Sequence, residues 1–207
     1  MKAHKGWTSE RTDMTQIIPA GKCHATLYSI IDCWTQEINS KTYGKSEKRR
    51  VFITWELPEF LHEFKEWDGE KPCVVSQEYT FSTYGSSHMR RMIEAMLGKQ
   101  NEMTDEEASE VNLDDLVWMR CQIKVIHNAP YVNIGTIYDL DAKEQKDAKK
   151  KFKQVNDSKL FDLDEFDVKV FDTLPNFLQE KIMKSPEYAE ALEKKIVDED
   201  VDNDVPF

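Results

Sequence analysis

The residues of this chain best suited to chemistry are cations placed beside aromatic rings, and the densest such stretch covers residues 48–57. Lys48, Arg49 and Arg50 lead directly into a β-branched and aromatic run that predicts a strand. Because side chains alternate across a strand, one face is wholly apolar and the other carries Arg50 beside Phe52. A cation can neutralise a phosphate while a neighbouring ring stacks on a base, so this face suits single-stranded nucleic acid. An amphipathic strand whose Arg50 is merely solvated is the alternative.

The same combination of ring and cation recurs in other predicted strands and loops. The candidate nucleic-acid contacts are Tyr43, Lys48, Arg49, Arg50, Phe52, Trp55, Tyr79, Phe81, Trp118, Arg120 and Lys124. Alternation assigns Trp55 to the core face, although it is a candidate contact. Tyr79 and Phe81 are likewise candidates both for the core and for nucleic-acid contact. We keep all three because wide rings at the end of a barrel can stay open to a groove. Together these residues predict a groove that combines stacking rings with backbone-tracking charge.

Catalytic and metal chemistry find little support in the sequence. The chain has no Gly-rich phosphate loop, no HExxH, no GxSxG and no carboxylate cluster with ligand spacing. Cys23, Cys33, Cys73 and Cys121 form no CxxC pair and fall in predicted strands, which favours buried free thiols over zinc ligands. We therefore expect a protein that is not an enzyme and that uses no metal or cofactor.

Charge is unevenly distributed over the 207 residues, whose formal net charge is −11. Residues 1–135 hold 16 basic and 20 acidic side chains, whereas residues 136–207 hold 12 and 19. The acid excess therefore lies towards the end of the chain, and cations gather around the predicted strands, so net charge does not exclude a nucleic-acid partner. No apolar run approaches the roughly 18 residues that span a bilayer, and the N-terminus lacks a secretory segment. We expect a soluble cytosolic protein with no membrane partner.

Hydrophobic alternation predicts five strands, at residues 22–34, 48–57, 71–82, 117–127 and 131–140. Ser86 and Ser87 can cap a helix from His88 to about Leu97, which Gly98 ends. Five strands with a helix between the third and the fourth is the order of an OB-fold, a closed Greek-key barrel. A five-stranded barrel of another topology remains the alternative, because order along the chain does not fix pairing.

The chain divides into four parts by composition. Residues 1–17 are a flexible N-terminal arm, residues 18–140 the barrel domain, and residues 141–196 a charged linker with short helices. Residues 197–207 hold five acids and no base, which predicts a disordered acidic tail. It ends in Asp204, Val205, Pro206 and Phe207, where a ring can fill an apolar pocket while acids steer towards a basic partner.

These features resemble the bacteriophage single-stranded DNA-binding proteins with one OB domain and an acidic tail. The likeness rests on Pro-Ala-Gly at 19–21, Ile-Ile-Asp at 30–32, Thr-Gln at 35–36, Arg-Val-Phe-Ile-Thr-Trp-Glu-Leu-Pro at 50–58, Glu-Tyr-Thr-Phe at 78–81, Tyr-Val-Asn at 131–133, Leu-Pro at 174–175 and Ser-Pro-Glu-Tyr at 185–188. The last four residues are similar to the Asp-Ile-Pro-Phe end of bacterial single-stranded DNA-binding proteins.

The resemblance implies a non-catalytic, sequence-tolerant protein in the cytoplasm of an infected host cell. It would coat and protect single-stranded DNA during phage replication, recombination and repair, and would need no cofactor. Its tail would recruit replication or recombination proteins, and cooperative self-association on DNA would fit a single OB domain. An OB-like protein-interaction module or an acidic DNA mimic is the alternative function.

Overall fold

The computed structural model describes residues 13–40, 44–64, 69–162 and 165–192 and is mainly β with several helices. Its strands are β1 (Gly21–Ser40), β2 (Gly44–Glu63), β3 (Glu70–Thr80), β4 (Arg120–Asn128), β5 (Tyr131–Tyr138) and β6 (Lys159–Phe161). Its helices are α1 (Met14–Ile17), α2 (His88–Leu97), α3 (Asp105–Ser109), α4 (Ala142–Lys151), α5 (Val168–Asp172) and α6 (Asn176–Ile182). A 3-10 helix covers Leu113–Leu116, and residues 186–192 are also helical.

The described strands form one sheet in the order β3-β2-β1-β4-β5, with every neighbouring pair antiparallel, and β6 pairs in parallel with β1. β3 and β5 approach each other, but no hydrogen-bonded ladder joins them in this part of the chain. The sheet is therefore not closed. The expected mainly β class is confirmed. The closed five-stranded barrel is not confirmed, because β3 and β5, the strands that would close it, form no ladder within the described residues.

The main hydrophobic core lies between the inner face of the sheet and α2. Alternation along β2 buries Val51, Ile53, Trp55 and Leu57, as the apolar pattern predicts. From α2, the helical spacing of Met89, Met92, Ile93 and Met96 brings these side chains into the same core. The Ser87 hydroxyl accepts a hydrogen bond from Arg90 N at 3.0 Å, and Gly98 ends α2 at a φ of 67°. The predicted bounds of this helix are confirmed.

A buried arginine fixes the loops around α2. Arg90 donates from Nε to Glu94 at 2.6 Å, and its Nη atoms donate to the carbonyl oxygens of Thr83 and Met103. Glu94 in turn accepts from Asn101 N at 3.1 Å. Because a buried charge is stable only when it is paired and hydrogen-bonded, this network holds the loops before and after α2 in one arrangement.

A second hydrophobic cluster lies on the opposite face of the sheet. Its buried members are Ile31, Cys33 and Trp34 of β1 together with Phe161, Phe171, Leu174, Leu178 and Ile182. Trp34 has a φ of 58° and sits at a register shift between Asp32 and Thr35, so a bulge turns β1 towards these residues. The short helices expected within residues 141–196 are present, and α5 and α6 pack on the sheet in this second core.

Several predicted strand boundaries are wrong, since β1 runs to Ser40 and not to Trp34, and β2 begins at Gly44 and not at Lys48. Pro58 does not end β2, because a register shift between Leu57 and Leu61 accommodates the proline and pairing with β3 resumes to Glu63. β4 begins at Arg120 and not at residue 117, since Trp118 takes a φ of 75°, which lies outside the range of regular strands. In the described ranges, no helix is long and apolar enough to cross a membrane.

Candidate nucleic-acid interface

An open cleft at one end of the sheet gathers exposed aromatic rings. It has a volume of about 530 Å³ and is lined by Phe81, Ser82, Thr83, Tyr84, Met89, Ile93, Asp105, Ser109, Val111 and Leu113. Phe81 is 40% exposed and Tyr84 is 71% exposed. We call this site the aromatic cleft. Its position follows from the end of β3 and the loop into α2, which the Arg90 network holds in place.

The cation beside the aromatic cleft is Arg49, which does not line the cleft itself but whose guanidinium carbon lies 4.5 Å from the centroid of the Phe81 ring. Phe81 N donates to Arg49 O at 2.8 Å, so the backbone pairing of β2 with the chain after β3 sets this contact. Arg49 also donates from Nε to Asp32 Oδ2 at 2.8 Å. The result is a positioned cation stacked on an exposed ring, a combination that favours base stacking beside a phosphate.

Acidic groups surround this cation. Asp32 Oδ1 accepts from Trp34 N at 2.9 Å, and burial raises the pKa of Asp32 despite its contact with Arg49. Asp162 lies 3.9 Å from Arg49 Nη2. Burial and the nearby carboxylates of Asp162, Asp115 and Glu165 raise the pKa of Asp114. The aromatic cleft therefore offers aromatic rings for stacking, while the positive charge beside it is largely balanced by carboxylates.

The predicted contacts Arg50 and Phe52 lie on a face that the C-terminal helices cover. Arg50 Nε donates to Glu78 Oε1 at 2.9 Å, and Phe52 meets the Phe177 ring of α6 edge-on at 5.6 Å. Lys181 Nζ donates to the same Glu78 oxygen at 2.6 Å. Both predicted residues are half-buried in this arrangement, so the surface that the strand pattern assigns to a partner is occupied by the chain itself.

The rings of Trp55 and Tyr79 lie in the main core, with 0% and 4% of their surface exposed. They meet each other edge-to-face at 6.4 Å, and Trp55 belongs to the inner face that alternation assigns to it. Burial raises the pKa of the Tyr79 hydroxyl. Neither ring presents a face on which a base could stack, which corrects their inclusion among the candidate contacts.

The remaining predicted contacts are spread along the sheet. Trp118 is 51% exposed, Lys48 is exposed on β2, and Lys124 is exposed on β4. Arg120 is half-buried, and its Nε has no hydrogen-bond partner in the described part of the chain. Tyr43 lies outside the described residues, as do Asp204, Val205, Pro206 and Phe207.

Tyr84 is the cleft residue that the sequence reasoning missed. It lies in the segment Ser-Thr-Tyr-Gly-Ser-Ser at 82–87, between β3 and α2. A large ring in a loop of small polar residues has no apolar neighbours in sequence to pack with, and this signal could have identified it as exposed.

Metal binding and similarity to known proteins are two further guides to function. Among the residues that the structure describes, no three His, Cys, Asp or Glu side chains are grouped so that they could hold a metal ion. Comparison with protein-family models, curated proteins and solved structures gives no match to the chain.

Proposed function

We propose that this protein binds single-stranded DNA without sequence preference, with bases stacking in the aromatic cleft. The observation that carries this proposal is that the exposed rings of Phe81 and Tyr84 line one cleft, with the Arg49 guanidinium over the Phe81 ring. Stacking on aromatic side chains tolerates every base, because every base has a π face. The covered face of β2, with Arg50 and Phe52, is not part of this site.

The proposal includes an OB-fold barrel and a role in phage replication, recombination or repair. The order of three strands, α2 and two more strands supports the barrel, as does the approach of β3 to β5. The protein would coat and protect single strands in the host cytoplasm, without catalysis and with no cofactor. Recruitment of replication or recombination proteins through Asp204, Val205, Pro206 and Phe207, and cooperative assembly on DNA, remain predictions.

Titration of fluorescently labelled oligo-dT at low salt tests the proposal. Phe81→Ala and Tyr84→Ala should each weaken binding by about 1–3 kcal/mol, because each removes one stacking platform. Phe177→Ala is the matched control, since this ring is 56% exposed on α6 and does not line the cleft, and the variant should bind oligo-dT like the unmodified protein. Circular dichroism confirms that the variants are folded.

The same titration separates the alternative functions. An acidic DNA mimic or a protein-interaction module would not bind oligo-dT, and the net charge of −11 with acids beside the cleft favours that alternative. Absence of binding at low salt, or duplex DNA competing as well as single strands, would reject the proposal. Normal binding by both cleft variants would move the site elsewhere on the protein.

A further inference from the structure

The aromatic cleft lacks the charge that a nucleic-acid strand requires. Single-strand binders combine stacking rings with cations that neutralise the phosphate backbone. Arg49 already contacts Asp32, while Asp105 lines the cleft and Asp162 lies close to Arg49. If the cleft stacks bases, cations beyond the cleft are needed to follow the phosphate backbone.

A dense run of positive charge lies on and after α4. Residues 142–153 hold six lysines and two acids, a net charge of +4 in a protein of −11. These lysines are Lys143, Lys146, Lys149, Lys150, Lys151 and Lys153. None of them takes part in a salt bridge with another described residue. These lysines contribute little to the stability of the fold, and their combined positive charge attracts a polyanion.

α4 lies on the outer face of β1 and β4. Gln145 Nε2 donates to Arg120 O at 2.9 Å, and the Phe152 ring contacts the His24 ring at 5.2 Å. Arg120 pairs with Thr26 on β1, and His24 lies two residues nearer than Thr26 to the start of β1. α4 therefore runs towards the start of β1. Its last turn, with Lys149, Lys150 and Lys151, leads into Phe152 beside His24, which is two residues from Lys22 on β1.

Lys22 and Lys124 extend this positive surface. They are register partners on β1 and β4, so two like charges stand directly opposite each other, which destabilises a sheet. Lys22 Nζ lies 4.1 Å from the centroid of the Tyr138 ring, and both lysines are exposed. Neither has a salt-bridge partner among the described residues, so a bound anion would relieve their repulsion.

A buried carboxylate anchors the end of this segment. Glu56 has no exposed surface, and it accepts hydrogen bonds from Asn156 N at 2.8 Å and Asn156 Nδ2 at 2.7 Å, with Val155 N at 3.2 Å. The chain after α4 is thereby fixed to β2. Cations held in place lose less freedom on binding than cations on a mobile linker do.

We propose that Lys22, Lys124, Lys149, Lys150 and Lys151, the lysine band, bind the sugar-phosphate backbone of single-stranded DNA. This inference rests on the proposed function and adds a second surface to it. Lys22 and Asp32 are ten residues apart on β1, so the lysine band and the aromatic cleft are about 30 Å apart. Arg120, opposite Thr26, lies between them. Only an oligonucleotide long enough to span this distance engages both surfaces.

The test compares the triple variant Lys149→Gln, Lys150→Gln, Lys151→Gln with the full chain, using a length series of labelled oligo-dT. For long oligomers, the triple variant should bind with on the order of tenfold lower affinity at low salt. Its log–log salt slope should fall by about 2, at about 0.7 for each phosphate that the variant no longer neutralises. For oligomers that fill only the aromatic cleft, its affinity should be unchanged.

The matched control is Lys99→Gln, Lys169→Gln, Lys184→Gln, which removes three exposed lysines elsewhere and changes net charge equally. It should bind every length like the full chain. A second variant, Lys22→Gln with Lys124→Gln, should weaken long-oligomer binding while its melting temperature stays equal or rises.

Each outcome decides between the two proposals. If the full chain binds oligo-dT and the lysine-band variants match the control at all lengths, the lysine band is rejected and the proposed function stands. If the triple variant loses affinity equally for short and long oligomers, the two-surface arrangement is rejected. If the full chain binds no oligo-dT, the proposed function fails and the lysine band fails with it.

Discussion

Glu78 joins the sheet to the C-terminal helices at the scale of a single residue. Burial opposes its ionisation, but hydrogen bonds and charge from Arg50 and Lys181 outweigh burial and lower the pKa of Glu78. A folded-state pKa below the unfolded value of 4.5 means that this contact stabilises the fold above about pH 4.5. The stabilisation is lost as pH falls through the lowered pKa. The pKa shift of Asp32 has the opposite sign, because burial raises the pKa of its carboxyl group.

Glu78→Gln should lower the free energy of unfolding by about 1 kcal/mol at pH 7, since the pair is partly exposed. The difference from the unmodified protein should shrink at acid pH, below the lowered pKa, because Glu78 itself is protonated there. Urea denaturation at pH 7 and over a series of acid pH values measures this difference, with the exposed Glu102→Gln as control. A destabilisation that stays the same throughout the acid series would show that the packing of Glu78 matters and its charge does not.

At this scale, alternation correctly assigned Trp55 to the core, because the period of a strand is a local property. The Arg49–Phe81 pair was not predictable, although both residues were candidates. Their contact depends on the pairing of β2 with the chain after β3. The register between two segments joined by a long connection cannot be derived from the sequence of either segment.

At the scale of elements, β6, α5 and α6 build the second core on the outer face of β1. Phe161 is buried and contacts the rings of Trp34, Phe166 and Phe171. Phe161→Ala should therefore lower the free energy of unfolding by about 3–5 kcal/mol. Its neighbour Leu160 is 38% exposed, so Leu160→Ala should cost much less. Chemical denaturation compares the two, and similar losses would mean that β6 contributes through its backbone pairing alone.

The caps and periodicity of α2 are local signals, and they predicted its bounds correctly. The docking of α5 and α6 on the sheet was not foreseen. Amphipathic spacing reveals that a helix has an apolar face but does not identify the surface that covers it. For the same reason, the strand pattern of residues 50–56 indicated a partner surface without showing that the partner is the chain's own C-terminal segment.

At the scale of the whole molecule, the two cores share one strand. All four cysteines are free and buried, as the sequence predicts, with Cys33 in the second core and Cys23, Cys73 and Cys121 in the first. Burial raises the pKa of Cys23 and Cys33 to about 12, so a thiol reagent reacts only after the structure opens. Because β1 runs continuously through both cores, we expect all four thiols to react at one common rate, which mass spectrometry of the labelled protein measures.

Faster labelling of Cys33 than of the other three thiols would contradict this expectation and show that the second core opens separately. Mild denaturant is the control, since it should raise all four rates in parallel if unfolding is cooperative. At this scale, the order of β1 to β5 and α2 along the chain was predictable from the sequence, whereas β6 was not predicted. Closure of the sheet was not, because whether β3 and β5 form a ladder depends on the curvature of the complete sheet.

The parallel pairing of β1 with β6 also determines when this protein can finish folding in the cell. Ile31 pairs with Phe161, 130 residues later in the chain. At ribosomal rates of roughly 5–20 residues per second, the nascent β1 waits roughly 6–26 s for the strand that pairs beside Trp34. During that time, the apolar face of β1 that belongs to the second core is exposed to solvent. We therefore expect newly made chains to depend on a holding chaperone until residues beyond α6 leave the ribosome.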